Sequence, residues 1–269
     1  MRGLEDADCV AVAGRPSGSM SVREEAARGF QQGADAYERG RPTYPPEVVR
    51  WLWEELGLGP GRTVLDVAAG TGKLTRELVA SGATVVAVEP VPAMRAVLER
   101  VVPDARALDG TAEALPIGDG TVDTLTAASA FHWFDGPAAA AEFHRVLRPG
   151  GRVALLWNRR MLDQPIHRAV DEIIGQYRRS APSHHRGEWR EPLESAGLFA
   201  PAAERLVPFE QALDADRFVD RFSSISFVAA LSDDQREQVL DRLRAVAAAA
   251  EQPIRLEYTA EVYVYRRVP

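Results

Sequence analysis

A few residues of the kind that hold nucleotides stand together after one short apolar run. Thr63-Val64-Leu65-Asp66-Val67 is apolar and β-branched, and reads as a buried strand. Ala68-Ala69-Gly70-Thr71-Gly72 is a turn of small residues, and Lys73 to Ala80 then takes helical spacing. Such a turn lets a ligand approach the backbone, and the helix start aims free N–H groups at it. A phosphate loop of the form Gly-x-x-x-x-Gly-Lys-Ser/Thr is excluded, because Val67 stands at its first glycine and Leu74 follows Lys73. A dinucleotide fingerprint, Gly-x-Gly-x-x-Gly, begins at Gly70 and Gly72 but has Thr75 at its third glycine. An Asp-x-Gly-x-Gly-x-Gly pattern fits Asp66, Gly70 and Gly72, with Ala68 at its first glycine. An ordinary strand–helix corner is the plain alternative.

Two further features bear on this turn. Thr84-Val85-Val86-Ala87-Val88 is a second buried strand that ends at Glu89-Pro90, about 20 residues beyond Gly70. An acidic residue at that place can accept both hydroxyls of a ribose. Val122 to Ala128 is another strand, and it ends in Ser129-Ala130-Phe131-His132-Trp133-Phe134-Asp135, the densest aromatic cluster of the chain. Ligands of open α/β sheets bind outside the carboxyl ends of the strands. His132 is there the candidate general base, since imidazole titrates near neutral pH. A packing or orienting role between Phe131 and Trp133 explains it equally well.

The elements that must position these residues follow in order. A helix is expected from Glu47 to Leu56, with Val48, Val49, Leu52 and Leu56 on its apolar face. Further helices run from Pro92 to Val101, with Met94, Val97 and Leu98 spaced as core, and from Pro137 to Leu147, stopped by Pro149-Gly150-Gly151. Ala105 to Leu108 and Arg152 to Trp157 complete five strands. Strands alternating with helices give a parallel, doubly wound sheet. Beyond it come a helix from Ile166 to Tyr177, a sixth strand from Ala203 to Phe209, short helices between Leu213 and Leu231, and a capped helix from Ser232 to about Ala249. Ile254 to Val264 alternates as a strand buried on one side. Tyr37 and Tyr44 lie in a segment with proline breaks ahead of the first of these helices, where plain packing accounts for them.

The totals set bounds. The chain has 269 residues, 46% of them hydrophobic, a net charge of −7 and one cysteine. That suits one α/β domain with a core large enough to need no disulfide. Cys9 alone offers no disulfide framework, which fits a reducing cytoplasm. The acidic balance lacks the footprint of a nucleic-acid binder, and no apolar run reaches the ~20 residues of a membrane helix. Residues 1–22 are expected to be a flexible extension, and 23–269 a single domain with a cofactor-binding core at 45–158 and an acceptor side at 159–269. His184 and His185 have no third ligand spaced to join them, so no metal site is expected.

Five motifs in order resemble the class I S-adenosylmethionine (SAM) methyltransferases of the small-molecule, type 11-like kind. They are Leu65 to Thr75, Val88-Glu89-Pro90, Gly110-Thr111-Ala112-Glu113-Ala114-Leu115-Pro116, Ala130 to Asp135, and Arg145-Val146-Leu147-Arg148-Pro149-Gly150-Gly151. Tyr37-Glu38-Arg39-Gly40-Arg41-Pro42-Thr43-Tyr44-Pro45 also looks like the leader of a bacterial branch of that family. Ala68 and Thr111 depart from the pattern, which often has glycine and aspartate there. The resemblance implies a Rossmann-like, seven-stranded, mainly parallel sheet with an antiparallel last strand, in three α/β/α layers. It implies methyl transfer from SAM to a small-molecule acceptor. Asp66, Ala68, Gly70 and Gly72 would form the turn at the amino-acid end of SAM. Glu89 would take the ribose, and Pro90, Met94, Thr111, Ala112 and Glu113 would edge the adenine. Ser129 and Ala130 would pass near the sulfonium, with Tyr37 and Tyr44 capping the pocket. An NAD-dependent oxidoreductase and a non-catalytic SAM-binding protein are the alternatives. The acceptor and the oligomeric state are not legible.

Overall fold

The structure, a computed structural model, describes residues 22–178, 187, 189–195 and 197–269. The expected extension, Val22 apart, and the pair His184 and His185 lie outside the described residues. Seven strands form one sheet: β1 (Thr63–Val67), β2 (Thr84–Val88), β3 (Arg106–Leu108), β4 (Val122–Ala128), β5 (Leu147–Arg160), β6 (Phe199–Leu213) and β7 (Ile254–Arg267). Their order is β3-β2-β1-β4-β5-β7-β6. The first five pair in parallel, and β7 runs antiparallel to both of its neighbours. This is the doubly wound, seven-stranded arrangement expected, with β4 at the centre and the switch in strand order falling between β1 and β4.

Alternation along the buried strands sends side chains to two helical layers. Leu65 and Val67 pack toward α5 (Gly136–Val146), with Phe143 and Val146. Val64 and Val85 pack toward α2 (Pro46–Leu56) and α3 (Thr75–Val79), with Leu52 and Leu78. α4 (Pro92–Val101) follows β2. The C-terminal half adds α6 (Pro165–Ile174), α7 (Glu191–Glu194), α8 (Ala215–Ser223), α9 (Ser226–Ala229) and α10 (Asp233–Ala249). Val170, Phe218, Phe222 and Leu243 form a core of their own against Leu256 and Tyr258 of β7. Ser232 caps α10 through its hydroxyl, as its sequence indicates.

The largest departure is α1 (Val22–Gly40), a helix where the sequence reading saw only a leader. Gly29, Gly33 and Gly40 share one of its faces. A Cβ on Gly29 would strike the Ser226 carbonyl, and one on Gly40 would strike the backbone of Arg221. The glycines that weaken helix propensity are therefore the ones that let α1 lie against α8 and α9. A second departure is β7. It sits between β5 and β6, so Thr259, Glu261 and Tyr263 are buried as well as the apolar face. Glu261 tolerates this because it pairs with Arg159 of β5. The sequence helix at Lys73 narrows to the single turn of α3, and β5 and β6 extend beyond their expected ends.

Candidate active site

The turn after β1 is held by hydrogen bonds that leave one side of its backbone open. Ala69 donates to the Val88 carbonyl at 3.2 Å and ties the turn to β2. Gly70 has φ +59°, and nothing lies within 4 Å of where its Cβ would be. Gly72 has φ +85° but is closely packed: a Cβ there would meet Val102 at 2.9 Å. Thus Gly70 faces open space and Gly72 faces α4. Ala68, at the position where the family pattern has glycine, also takes a left-handed φ of +53°, a conformation that costs an L-residue about 1–2 kcal/mol. Ser129, at the end of β4, does the same with φ +55°. Strained residues at two adjacent strand ends are typical of ligand sites.

Two buried carboxylates flank this turn. Glu89 is 5% exposed. One of its oxygens accepts from the Gly70 N–H and the other from the Val91 N–H, both at 2.8 Å. Burial raises its pKa, and these N–H groups and Arg95 oppose the rise. Each oxygen keeps a second lone pair, so the group retains capacity for two hydroxyl donors. Asp66 is buried within the fold, and accepts from the hydroxyls of Thr75 and Thr126 at 2.7 Å each. It bolts β1 to β4 and to the start of α3, and Thr75 occupies the third-glycine position of a dinucleotide fingerprint.

Burial pushes the Asp66 carboxyl up to about 6, against the two hydroxyls that favour its charged form. A carboxyl raised above its unfolded value of ~3.9 contributes stability in full below that value. The contribution is lost as pH rises through about 6. Asp66→Asn is therefore expected to gain up to about 3 kcal/mol relative to the native chain at pH 8, and under about 1 kcal/mol at pH 4. Urea unfolding at both pH values checks this; an equal change at both would place the effect in packing instead of charge.

The leader closes over the turn. The Glu38 carboxylate of α1 accepts from the Thr71 hydroxyl and the Arg76 guanidinium at 2.6 Å each, and its carbonyl accepts from Lys73. Tyr44 is buried, and it faces the same cleft as Ser129. Tyr37, Tyr44, Ala68 and Ser129 thereby line one cleft, together with Arg41 and Asn158. The cleft's inner space is about 50 Å³. Glu38 and Arg41 were not singled out in the sequence, although both stand inside the leader motif.

The remaining candidates fall around this cleft with distinct contacts. Met94 is buried and packs with Phe30 and Tyr37, and Pro90 is exposed at the mouth of β2. Thr111 is exposed and bridges to Ala114, while Ala112 is buried in the core. Glu113 accepts from the Asp135 N–H at 2.7 Å, so it ties two loops together. Ala130 is buried beneath the aromatic loop. His132 lies on a 3-10 turn, Phe131–Trp133, and its Nδ1 accepts from the Trp157 indole N–H at 3.2 Å. Among the described residues no His/Cys/Asp/Glu group could hold a metal ion. No helix among them is long and apolar enough to cross a membrane.

A mainly parallel sheet in this order, with β7 antiparallel, a small-residue turn after β1 and an acid closing β2, is the class I Rossmann-like methyltransferase core. The family model for the methyltransferase domain matches residues 65–155. A relative from Mycobacterium tuberculosis, described as an uncharacterized methyltransferase, is 40% identical over 84% of this chain and 88% of its own. A methyltransferase-like protein of Schizosaccharomyces pombe is 33% identical over 81% of this chain and 85% of its own. A solved structure from Anaeromyxobacter dehalogenans, assigned provisionally as a type II methyltransferase, shares 27% identity. It covers 85% of this chain and 99% of its own, with a TM-score of 0.62. The chain belongs to the class I SAM-dependent methyltransferases, and it is an enzyme of that class.

Proposed function

We propose that this chain binds SAM in the cleft and transfers its methyl group to a small-molecule acceptor, releasing S-adenosylhomocysteine (SAH). The observation that carries the reading is the Glu89–Gly70 contact. It joins a carboxylate with spare acceptor capacity to a turn whose Gly70 side opens on free space. In this reading Glu89 takes the ribose, Pro90, Met94 and the segment Thr111–Glu113 border the adenine, and Ala68 and Gly70 form the floor under the amino-acid end. Asp66 and Gly72 serve that floor from behind, through Thr75 and α4. Ser129 and Ala130 lie at the sulfonium, with Tyr37 and Tyr44 above it.

The cofactor, when bound, supplies an activated sulfonium methyl, so the protein's share is chiefly orientation and exclusion of water. Tyr44, buried beside Ser129 in the cleft lining, forms the wall close to the end of β4. The acceptor side is formed by residues 159–269, and the single domain is taken to run from 23 to 269. The net charge of −7 supports a small molecule over a nucleic acid. The single cysteine supports a cytoplasmic setting. Calorimetry with SAM, SAH and NAD tests the reading: SAM and SAH bind and NAD does not. Binding of NAD alone would overturn it.

His132 is assigned an orienting role. With Nδ1 accepting from Trp157, the proton of its neutral form sits on Nε2, which then donates and does not abstract. His132→Gln is expected to lower turnover by no more than about tenfold, with SAH affinity unchanged. A loss of about 10³-fold or more that tracks a single ionisation would make it the general base instead.

A further inference from the structure

Three arginines from distant parts of the chain cluster at one side of the cleft: Arg41 and Arg221 line it, and Arg160 shares the Phe222 ring with Arg221. Arg41 follows α1, Arg160 ends β5 and Arg221 lies in α8. The guanidinium groups of Arg160 and Arg221 stand 5.8 and 5.2 Å from that ring. Burial and mutual repulsion push Arg41 and Arg160 down to about 10.

Their protein partners are too few for one buried and two half-buried cations. Arg221 is 4% exposed; its Nε donates to the Tyr258 hydroxyl at 2.8 Å and its Nη1 has no partner. Arg41 donates only to the hydroxyl and carbonyl of Ser224, both neutral oxygens. Arg160 reaches Asp171 at 3.5 Å, a carboxylate it shares with Arg178, and its Nη1 is also unpartnered. Among the described residues Arg41 and Arg221 have no ion pair at all. Buried guanidinium groups require anionic partners, and an unmet N–H there is costly. His167, beside Arg160 and Arg221, is pushed down to about 4 and adds no charge near neutral pH.

We propose that Arg160 and Arg221, with Arg41 beside them, form an oxyanion pocket that anchors a carboxylate or phosphate group of the methyl acceptor. The proposal rests on the methyltransferase reading given above. The cofactor's own carboxylate offsets one of the three positive charges, and the surplus remains for the acceptor. The planar fork of each guanidinium suits a two-oxygen anion. The anion serves as a handle, so the methylated atom lies elsewhere on the acceptor.

The test uses the full chain saturated with SAH, and titrates it calorimetrically with glutarate, inorganic phosphate and dimethyl glutarate. Glutarate or phosphate is expected to bind and the neutral diester not to. The tighter of the two anions tells a carboxylate handle from a phosphate handle. Arg221→Met and Arg160→Gln are each expected to weaken anion binding by about tenfold to a hundredfold, and Arg160→Gln, whose side chain does not line the cleft, to leave SAH affinity within about twofold of native. Removing one of three crowded cations is also expected to leave thermal stability unchanged or higher, which a purely structural arginine would not do. Should Arg221→Met fail to fold, Arg160→Gln and Arg221→Lys carry the comparison. The proposal is overturned if neither anion binds, if the variants bind anions as the native chain does, or if they lose SAH affinity in proportion. That last result would give the cluster to the cofactor's carboxylate. Absence of SAH binding would instead defeat the methyltransferase reading. Anion titration of the unliganded chain then judges the pocket by itself.

Discussion

Glu89→Ala is expected to weaken SAH binding by about tenfold to a hundredfold, the equivalent of roughly 1.5–3 kcal/mol for lost charge-assisted hydrogen bonds. Two effects add. The ribose loses its acceptor, and the Gly70 N–H, now held at 2.8 Å by the carboxylate, loses the group that fixes the turn. Glu89→Gln separates them. Its amide oxygen can still accept from Gly70, but its NH₂ faces the Val91 N–H, which also donates. Glutamine should therefore fall between native and alanine. Calorimetry is the measurement, and an alanine variant with native affinity would remove Glu89 from the binding site.

Gly70→Val is expected to abolish cofactor binding while the protein still folds. A Cβ there meets no protein atom within 4 Å, so the side chain starts into the space left open above the turn. Its left-handed φ adds strain, more for a β-branched residue than for alanine. Gly72→Ala makes the opposite case. A Cβ there meets Val102 at 2.9 Å and Leu98 at 3.3 Å, so the cost falls on the packing of α4 and on stability. Melting temperature and SAH affinity, measured for both variants, should change in opposite proportion. A Gly70→Val protein that retains SAH affinity would make the turn a structural corner only.

The sheet was legible because each central strand is buried on both faces. Val64, Leu65 and Val67, and Val85 to Val88, are accordingly apolar in near-continuous runs. The turn and Glu89 were legible because their spacing is local. Helix α1 was not, since its interior glycines read as breakers when taken one at a time. Taken together, Gly29 and Gly33 are one helical turn apart and Gly40 falls on the same face, a spacing that marks a closely packed helix. Nor could sequence show what His132 touches, because its partner Trp157 comes from another strand. The arginine cluster has no spacing to read at all: residues 41, 160 and 221 meet only through the tertiary fold.

Helix α1 also fixes when the cleft can exist. Arg39, next to the Glu38 clasp, is tied to Asp220 of α8, 181 residues further on. At about 5–20 residues per second, the ribosome needs roughly 10–40 s to make the intervening chain. During that time β1 to β4 can already pair, but α1 has no α8 or α9 on which to dock. The nascent enzyme therefore passes through a stage in which its central sheet is formed and its cleft wall is missing. Cofactor in the surroundings can stabilise the finished chain by mass action, yet gives little help to the half-made one. Truncation anywhere before Asp220 leaves the same incomplete wall.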